Sequence, residues 1–180
     1  MTAPPFCVAL VMCFVIGWLS DRLRKCSSLL VIHALIAIVG DLILVLVPIE
    51  QGHTRYAGVF LIQLGILPAI TLAVGNIINN ACGDIKKGVA IGLYLATGST
   101  MGVATGYLFP ETDEPAFTTG FWVLFAVTCY TGSAALFMTL VNKRENSRRD
   151  KIHGKPPTDR ALNFDEDGLM EQHPFWRYYL

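Results

Sequence analysis

An all-α, multi-pass transmembrane bundle is the fold class this sequence predicts, and three observations predict it. The 180 residues are 53% hydrophobic and only 16% charged, and the mean hydropathy of +0.48 lies outside the range of ordinary soluble domains. The charges are missing from long windows: Met1–Ser20, Tyr56–Gly83, Gly88–Pro110 and Pro115–Asn142 contain no Asp, Glu, Lys or Arg, and Cys26–Ile49 contains only Asp41. Each window reaches the roughly 20 residues a helix needs to cross a hydrocarbon core about 30 Å thick. The alternating pattern of a membrane barrel is absent, so the spans are expected to be helices.

The third observation is the placement of the charges. Arg22, Arg24 and Lys25, then Lys86 and Lys87, then Lys143, Arg144, Arg148, Arg149 and Lys151 follow alternate windows. Glu50 and Arg55, then Glu111, Asp113 and Glu114, fill the connections between them. The positive-inside rule puts the basic set in the cytoplasm and the other set outside. The first span then begins outside with Met1 at its edge and no segment to carry it across, so residues upstream of Met1 are expected, with a five-span protein as the alternative.

The expected spans are 4–19, 28–47, 56–76, 88–109 and 119–141, making residues 1–142 the transmembrane region and 143–180 a cytoplasmic tail. Pro4 and Pro5 suit a helix start, where the first amides have no intrahelical partner. The second span ends at Pro48. The third contains Pro68, which frees a backbone carbonyl and bends the axis, and then turns polar at Asn76, Asn79 and Asn80. The fourth repeats Gly98, Gly102 and Gly106 at intervals of four, which sets them on one face where another helix can approach closely. The fifth carries Trp122 near its outer end, as interfacial aromatics do. The basic, polar stretch from Asn142 to Arg160 is expected to be flexible, and the aromatic end of the chain to dock locally or on the membrane surface.

Several function classes are excluded by what is missing. No H-E-x-x-H, G-x-S-x-G or paired His/Asp cluster appears, so no enzyme, cofactor or catalytic residue is expected. Cys7, Cys13, Cys26, Cys82 and Cys129 are odd in number, scattered and without ligand spacing, so neither disulfide nor metal is expected. No nucleic-acid partner is expected either. Asp41 is the only formally charged residue deep in a span, and His33 lies eight positions earlier on roughly the same face. Asp41 stands toward the outer third, and structural pairing or snorkelling is the expectation for it.

The stretch "GWLSDRLRKC" resembles the loop motif G-x-L-a-D-R-x-G-R-R of the major facilitator superfamily. Gly17, Asp21, Arg22 and Lys25 match it, whereas Arg24 and Cys26 replace its second glycine and last basic residue. Taken with "APPF", "NNACGDIKKG", "GYLFPETDEPAFTTGF" and "HPFWRYYL", the chain resembles the C-terminal half of the anion:cation symporters of the allantoate permease family, known chiefly from fungi. Asn80, Gly83, Lys86 and Lys87 fit that family's N-x-x-G-x-x-K-R; Asp113, Pro115, Phe117 and Gly120 fit D-x-P-x-[YF]-x-x-G. His173 to Leu180 fit N-P-x-F-R-Y-x-L with histidine for asparagine, and Asn76 stands where the family usually has a tryptophan.

The resemblance implies that the five spans correspond to helices eight to twelve of a twelve-helix transporter. Two six-helix halves would then rock about a site near the bilayer midplane. It implies proton-coupled transport of a small organic anion, a carboxylate such as allantoate, nicotinate or a related metabolite. Gly17, Asp21, Arg22 and Lys25 would form the gating loop, and Gln63, Asn76 and Tyr94 would hydrogen-bond the substrate. Gly98, Gly102 and Gly106 would pack against the missing half or a partner chain. The plasma membrane is the expected location, with a vacuolar or other internal membrane as the alternative. The rival reading is a non-transporting subunit or degenerate half-transporter that works through a partner.

Overall fold

The computed structural model describes residues 3–23, 25–109, 117–154 and 172–180. Arg24, the acidic connection around Glu111, Asp113, Glu114 and Pro115, and most of the segment expected to be flexible after Gly154 lie outside these residues. Five helices follow in order: α1 Ala3–Leu23, α2 Cys26–Leu46, α3 Gly52–Asn80, α4 Asp84–Leu108 and α5 Thr118–His153. All five are long and apolar enough to cross a membrane, which matches the expected fold class.

The helix ends follow local chemistry. The first turn of α1 holds Pro4 and Pro5, where their lost amides cost nothing. After α2, Val47 is extended, the conformation that a following proline imposes. Between α3 and α4, Gly83 has φ 85°, a value that a side chain would strain, and Asp84 then opens α4 where the helix dipole favours a carboxylate. The third helix is longer than 56–76 at both ends and runs through Pro68 without interruption. Pro68 itself is fully buried among its neighbours.

At the end of α5 the structure corrects the sequence reading. Residues 143–153 continue the helix instead of forming a flexible segment. Glu145 binds Arg148 at 2.8 Å and Arg149 at 2.9 Å, the i+3 and i+4 spacing that supports an exposed helix. Lys151 and His153 occupy the last turn, where cations are favoured, and Gly154 ends the helix with φ 77°. At 1.5 Å per residue α5 is about 54 Å long against a core of about 30 Å. Its charged third therefore stands in water beyond the span.

α2 lies at the centre, packed against α3 and α5, while α1 packs on α3 and α4 touches α3 and α5 only lightly. The α2–α3 contact is made by glycines. A Cβ on Gly65 would lie 2.6 Å from the Ala37 nitrogen, and one on Gly40 would lie 2.7 Å from the Ile62 nitrogen. Gly58 completes the seam, with its Cβ position 3.3 Å from the Gly40 oxygen. Near the α1–α2 turn Ile16, Cys26 and Leu72 form a core joining α1, α2 and α3, and the Cys26 thiol donates to the Leu72 carbonyl at 3.1 Å.

The stripe chosen from sequence behaves differently. Nothing lies within 4 Å of a Cβ placed on Gly98, Gly102 or Gly106, and all three are exposed. Gly65→Val is expected to destabilise the chain by several kcal/mol, because backbone rather than a movable side chain blocks the new atoms. Gly102→Ala is expected to be neutral or slightly stabilising. Thermal unfolding of the two variants in the same detergent checks the contrast.

The charged end of α5 carries a pH signature. Hydrogen bonds from Arg148 and Arg149 hold the Glu145 carboxyl down to about 2, below its usual value near 4.3. A depressed native value means the stabilisation is complete above the unfolded value and fades as the pH falls toward the native one. Helicity of residues 143–153, followed by amide exchange, is expected to hold from pH 7 to about 5 and to decline toward pH 2. Glu145→Gln is expected to remove that dependence.

Candidate functional site

Small side chains on facing helices leave space in the bundle. Ala34 and Ala37 of α2, Ala69 and Ala73 of α3 and Ala135 of α5 border a cavity of about 430 Å³, closed further by Leu30, Ile66, Ile70, Leu124 and Val127. Three lining residues bring polar groups: Tyr94 of α4 with Thr128 and Thr131 of α5. Both threonine hydroxyls return to their own helix, Thr128 to the Leu124 carbonyl at 2.9 Å and Thr131 to the Val127 carbonyl at 3.0 Å. The Tyr94 phenol makes no hydrogen bond within the described residues, which leaves it as the polar handle of an otherwise apolar chamber.

The other residues singled out from sequence lie elsewhere. Gln63 is half-buried on α3, one turn outward from Ile66 and outside the cavity lining. Asn76 lies near the end of α3, where its Oδ1 accepts from the Ser27 hydroxyl at 3.1 Å and from the Asn80 amide. The structure therefore separates Gln63, Asn76 and Tyr94 instead of bringing them together.

At the turn between α1 and α2, Asp21, Arg22 and Lys25 are exposed, and Gly17 has open space around it. The Arg22 guanidinium sits 5.2 Å from the centre of the Trp18 ring, a cation–π arrangement within α1. Lys25 precedes the first residue of α2 with no side-chain cap bond.

Asp41 and His33 are 4% and 3% exposed, yet they do not meet. The His33 Nδ1 donates to the Leu29 carbonyl at 2.9 Å, while its Nε2 and the Asp41 Oδ2 have no partner. Eight residues of helix separate them by about 12 Å of rise. Asp41 faces the Thr128 side chain across the α2–α5 contact, and that hydroxyl donates to the Leu124 carbonyl of its own helix. Among the described residues no group of His, Cys, Asp and Glu is arranged to hold a metal ion.

Sequence reasoning missed two sets of residues. Gly40, Gly58 and Gly65 form the helix seam, and Ser27, Asn80 and Asn146 hold the chain's C-terminal end against the bundle. The signal available for Asn80 and Gly83 was the N-x-x-G spacing, which reads in three dimensions as a tail contact followed by a glycine turn.

Comparison with known proteins finds similarity along the full chain to membrane transporters. The chain is 22% identical over its whole length to an uncharacterised transporter of Schizosaccharomyces pombe, covering 34% of that protein. It is 25% identical to the high-affinity nicotinic acid transporter of Saccharomyces cerevisiae, with 99% of this chain and 33% of that one aligned. An MFS-type transporter of Penicillium expansum is also 25% identical, over 100% of this chain and 36% of its own length. The chain thus spans about a third of the length of the curated relatives it matches. No protein-family model matches it, and no solved structure matches it significantly. Five apolar helices and these relatives make it an integral, multi-pass membrane protein.

Proposed function

We propose that this chain forms the C-terminal helical half of a major-facilitator secondary transporter of the allantoate permease type, moving a small organic anion with protons. The observation that carries the reading is the alignment of the whole chain with about a third of several transporters, one of them named for nicotinic acid. In this reading α1 to α5 correspond to helices eight to twelve. The open face of Gly98, Gly102 and Gly106 packs against the other half of the transporter, and the two halves rock about a shared central site.

Within this half the Tyr94 phenol is the first candidate to hydrogen-bond a carboxylate, because it is the lining group with unspent bonding capacity. Gln63 is the second, lying on the same helix as Ile66 and Ile70 and nearer the outer end. Asn76 joins them only if it leaves its present partners. Gly17, Asp21, Arg22 and Lys25 form the gating turn, exposed at the cytoplasmic end where a facing half can engage them. The expected membrane is the plasma membrane, with an internal membrane as the alternative.

A second reading, a non-transporting subunit, is favoured by the same exposed glycine face of α4, which another protein could equally cover. Uptake measurements decide between the two. The chain expressed with the remaining spans of its full gene product is expected to accumulate labelled nicotinate or a related carboxylate, and a protonophore is expected to abolish the accumulation. Tyr94→Phe is expected to raise the KM roughly tenfold, the loss of one hydrogen bond to a charged group. Absence of uptake for a panel of carboxylates, together with stable co-purification of another membrane protein, would select the subunit reading.

A further inference from the structure

The segment His173 to Leu180 lies outside every helix, yet its backbone is held by side chains from three of them. Asn146 of α5 accepts from the Tyr178 amide at 2.9 Å and donates to the Tyr178 carbonyl at 2.8 Å. Asn80 of α3 does the same for the next residue, accepting from the Tyr179 amide at 2.7 Å and donating to its carbonyl at 3.4 Å. The Ser27 hydroxyl of α2 reaches that carbonyl at 3.2 Å. Asn76 lies behind Asn80 and receives its amide hydrogen, which fixes the orientation of the Asn80 carboxamide.

A carboxamide offers an acceptor and donors side by side, so it can satisfy both main-chain groups of one residue, as a neighbouring strand does. Alternate residues of an extended chain present those groups to opposite sides. Tyr178 turned toward α5 and Tyr179 toward α3 fit that alternation, with the segment bridging the two helices. Arg177 adds an ion pair to Asp150 at 2.7 Å and a bond to the Gly154 carbonyl at 2.8 Å.

We propose that Asn80 and Asn146 form a docking site for an extended peptide backbone, occupied by this chain's own C-terminus. Bound there, residues 176–180 act as a strap that fastens the cytoplasmic ends of α2 and α3 to the projecting third of α5. The site reads main chain, so it tolerates changes of the tyrosine side chains and rejects a missing amide. The strap goes beyond the transport reading and does not depend on it.

The test is amide exchange of the full chain in lipid nanodiscs, comparing the C-terminal peptide with the helices. Slow exchange of the peptide is expected in the unaltered chain. Asn80→Ala and Asn146→Ala are each expected to speed it about tenfold. Tyr179→Ala is expected to change it little, and Tyr178→Ala by no more than about threefold through loss of the Arg149 contact. Tyr178→Pro lies outside the helices and removes the amide donor, fixing φ there and losing the side chain that Tyr178→Ala also removes; it is expected to release the strap while α2 and α3 stay protected, which keeps the test decisive if an asparagine variant disturbs the bundle. The proposal is overturned if the peptide exchanges freely in the unaltered chain, if the Tyr→Ala variants release it as fully as Tyr178→Pro, or if Tyr178→Pro leaves it protected.

Discussion

Backbone-to-backbone approach of α2 and α3 is the constraint on which the rest of the bundle depends. In lipid there is little hydrophobic gain from pressing one apolar helix onto another, so association rests on close packing and hydrogen bonds. Gly40, Gly58 and Gly65 remove the side chains that would hold the axes apart. With α3 fixed on one side of α2, the other side is free for α5, where Gly132 allows contact with Ile38 and Ala34. Alanines on these helices then border the cavity in place of larger residues. The seam and the chamber thus arise from one choice, small residues where helices meet.

Polar groups are handled in two ways. Inside the spans, Thr97, Ser99, Thr100, Thr128 and Thr139 donate to carbonyls of their own helix, which keeps hydroxyls satisfied without a partner. At the end of the bundle that holds the α1–α2 turn, Ser27, Asn76, Asn80 and Asn146 bond between elements and onto the tail. At the opposite end the link is weaker in hydrogen bonds and richer in rings. Arg55 donates to the Val47 carbonyl at 3.3 Å and lies 5.4 Å from the Phe121 ring centre, and Phe109 packs edge-on to Phe117 and Phe121.

The sequence made the number of helices legible because charge depletion and proline placement are local signals. The first turn of α1, the stop at Pro48 and the glycine turn at Gly83 all belong to that class. The face of Gly98, Gly102 and Gly106 meets no helix among the described residues, because a one-face pattern shows that a helix can be approached, not which helix approaches. The seam at Gly40, Gly58 and Gly65 is divided between two helices, one glycine on α2 and two, seven residues apart, on α3, too few on either to announce a face. The helical course of residues 143–153 was hidden by polar composition, although Glu145 and its arginines already had helix spacing. Asn80 and Asn146 were equally hidden, since they meet residues 99 and 32 positions away.

The isolation of α4 bears on how such a chain matures. It is the least apolar of the five spans, its glycine face meets nothing, and its neighbours hold it only lightly. During synthesis it leaves the insertion machinery with little to detain it in lipid beyond its own length. α1, α2 and α3 already have their mutual contacts by then, whereas α5, which packs on α2, is still to come. Of the five spans, α4 is therefore the one whose hold on the bilayer owes most to its own sequence and least to its neighbours.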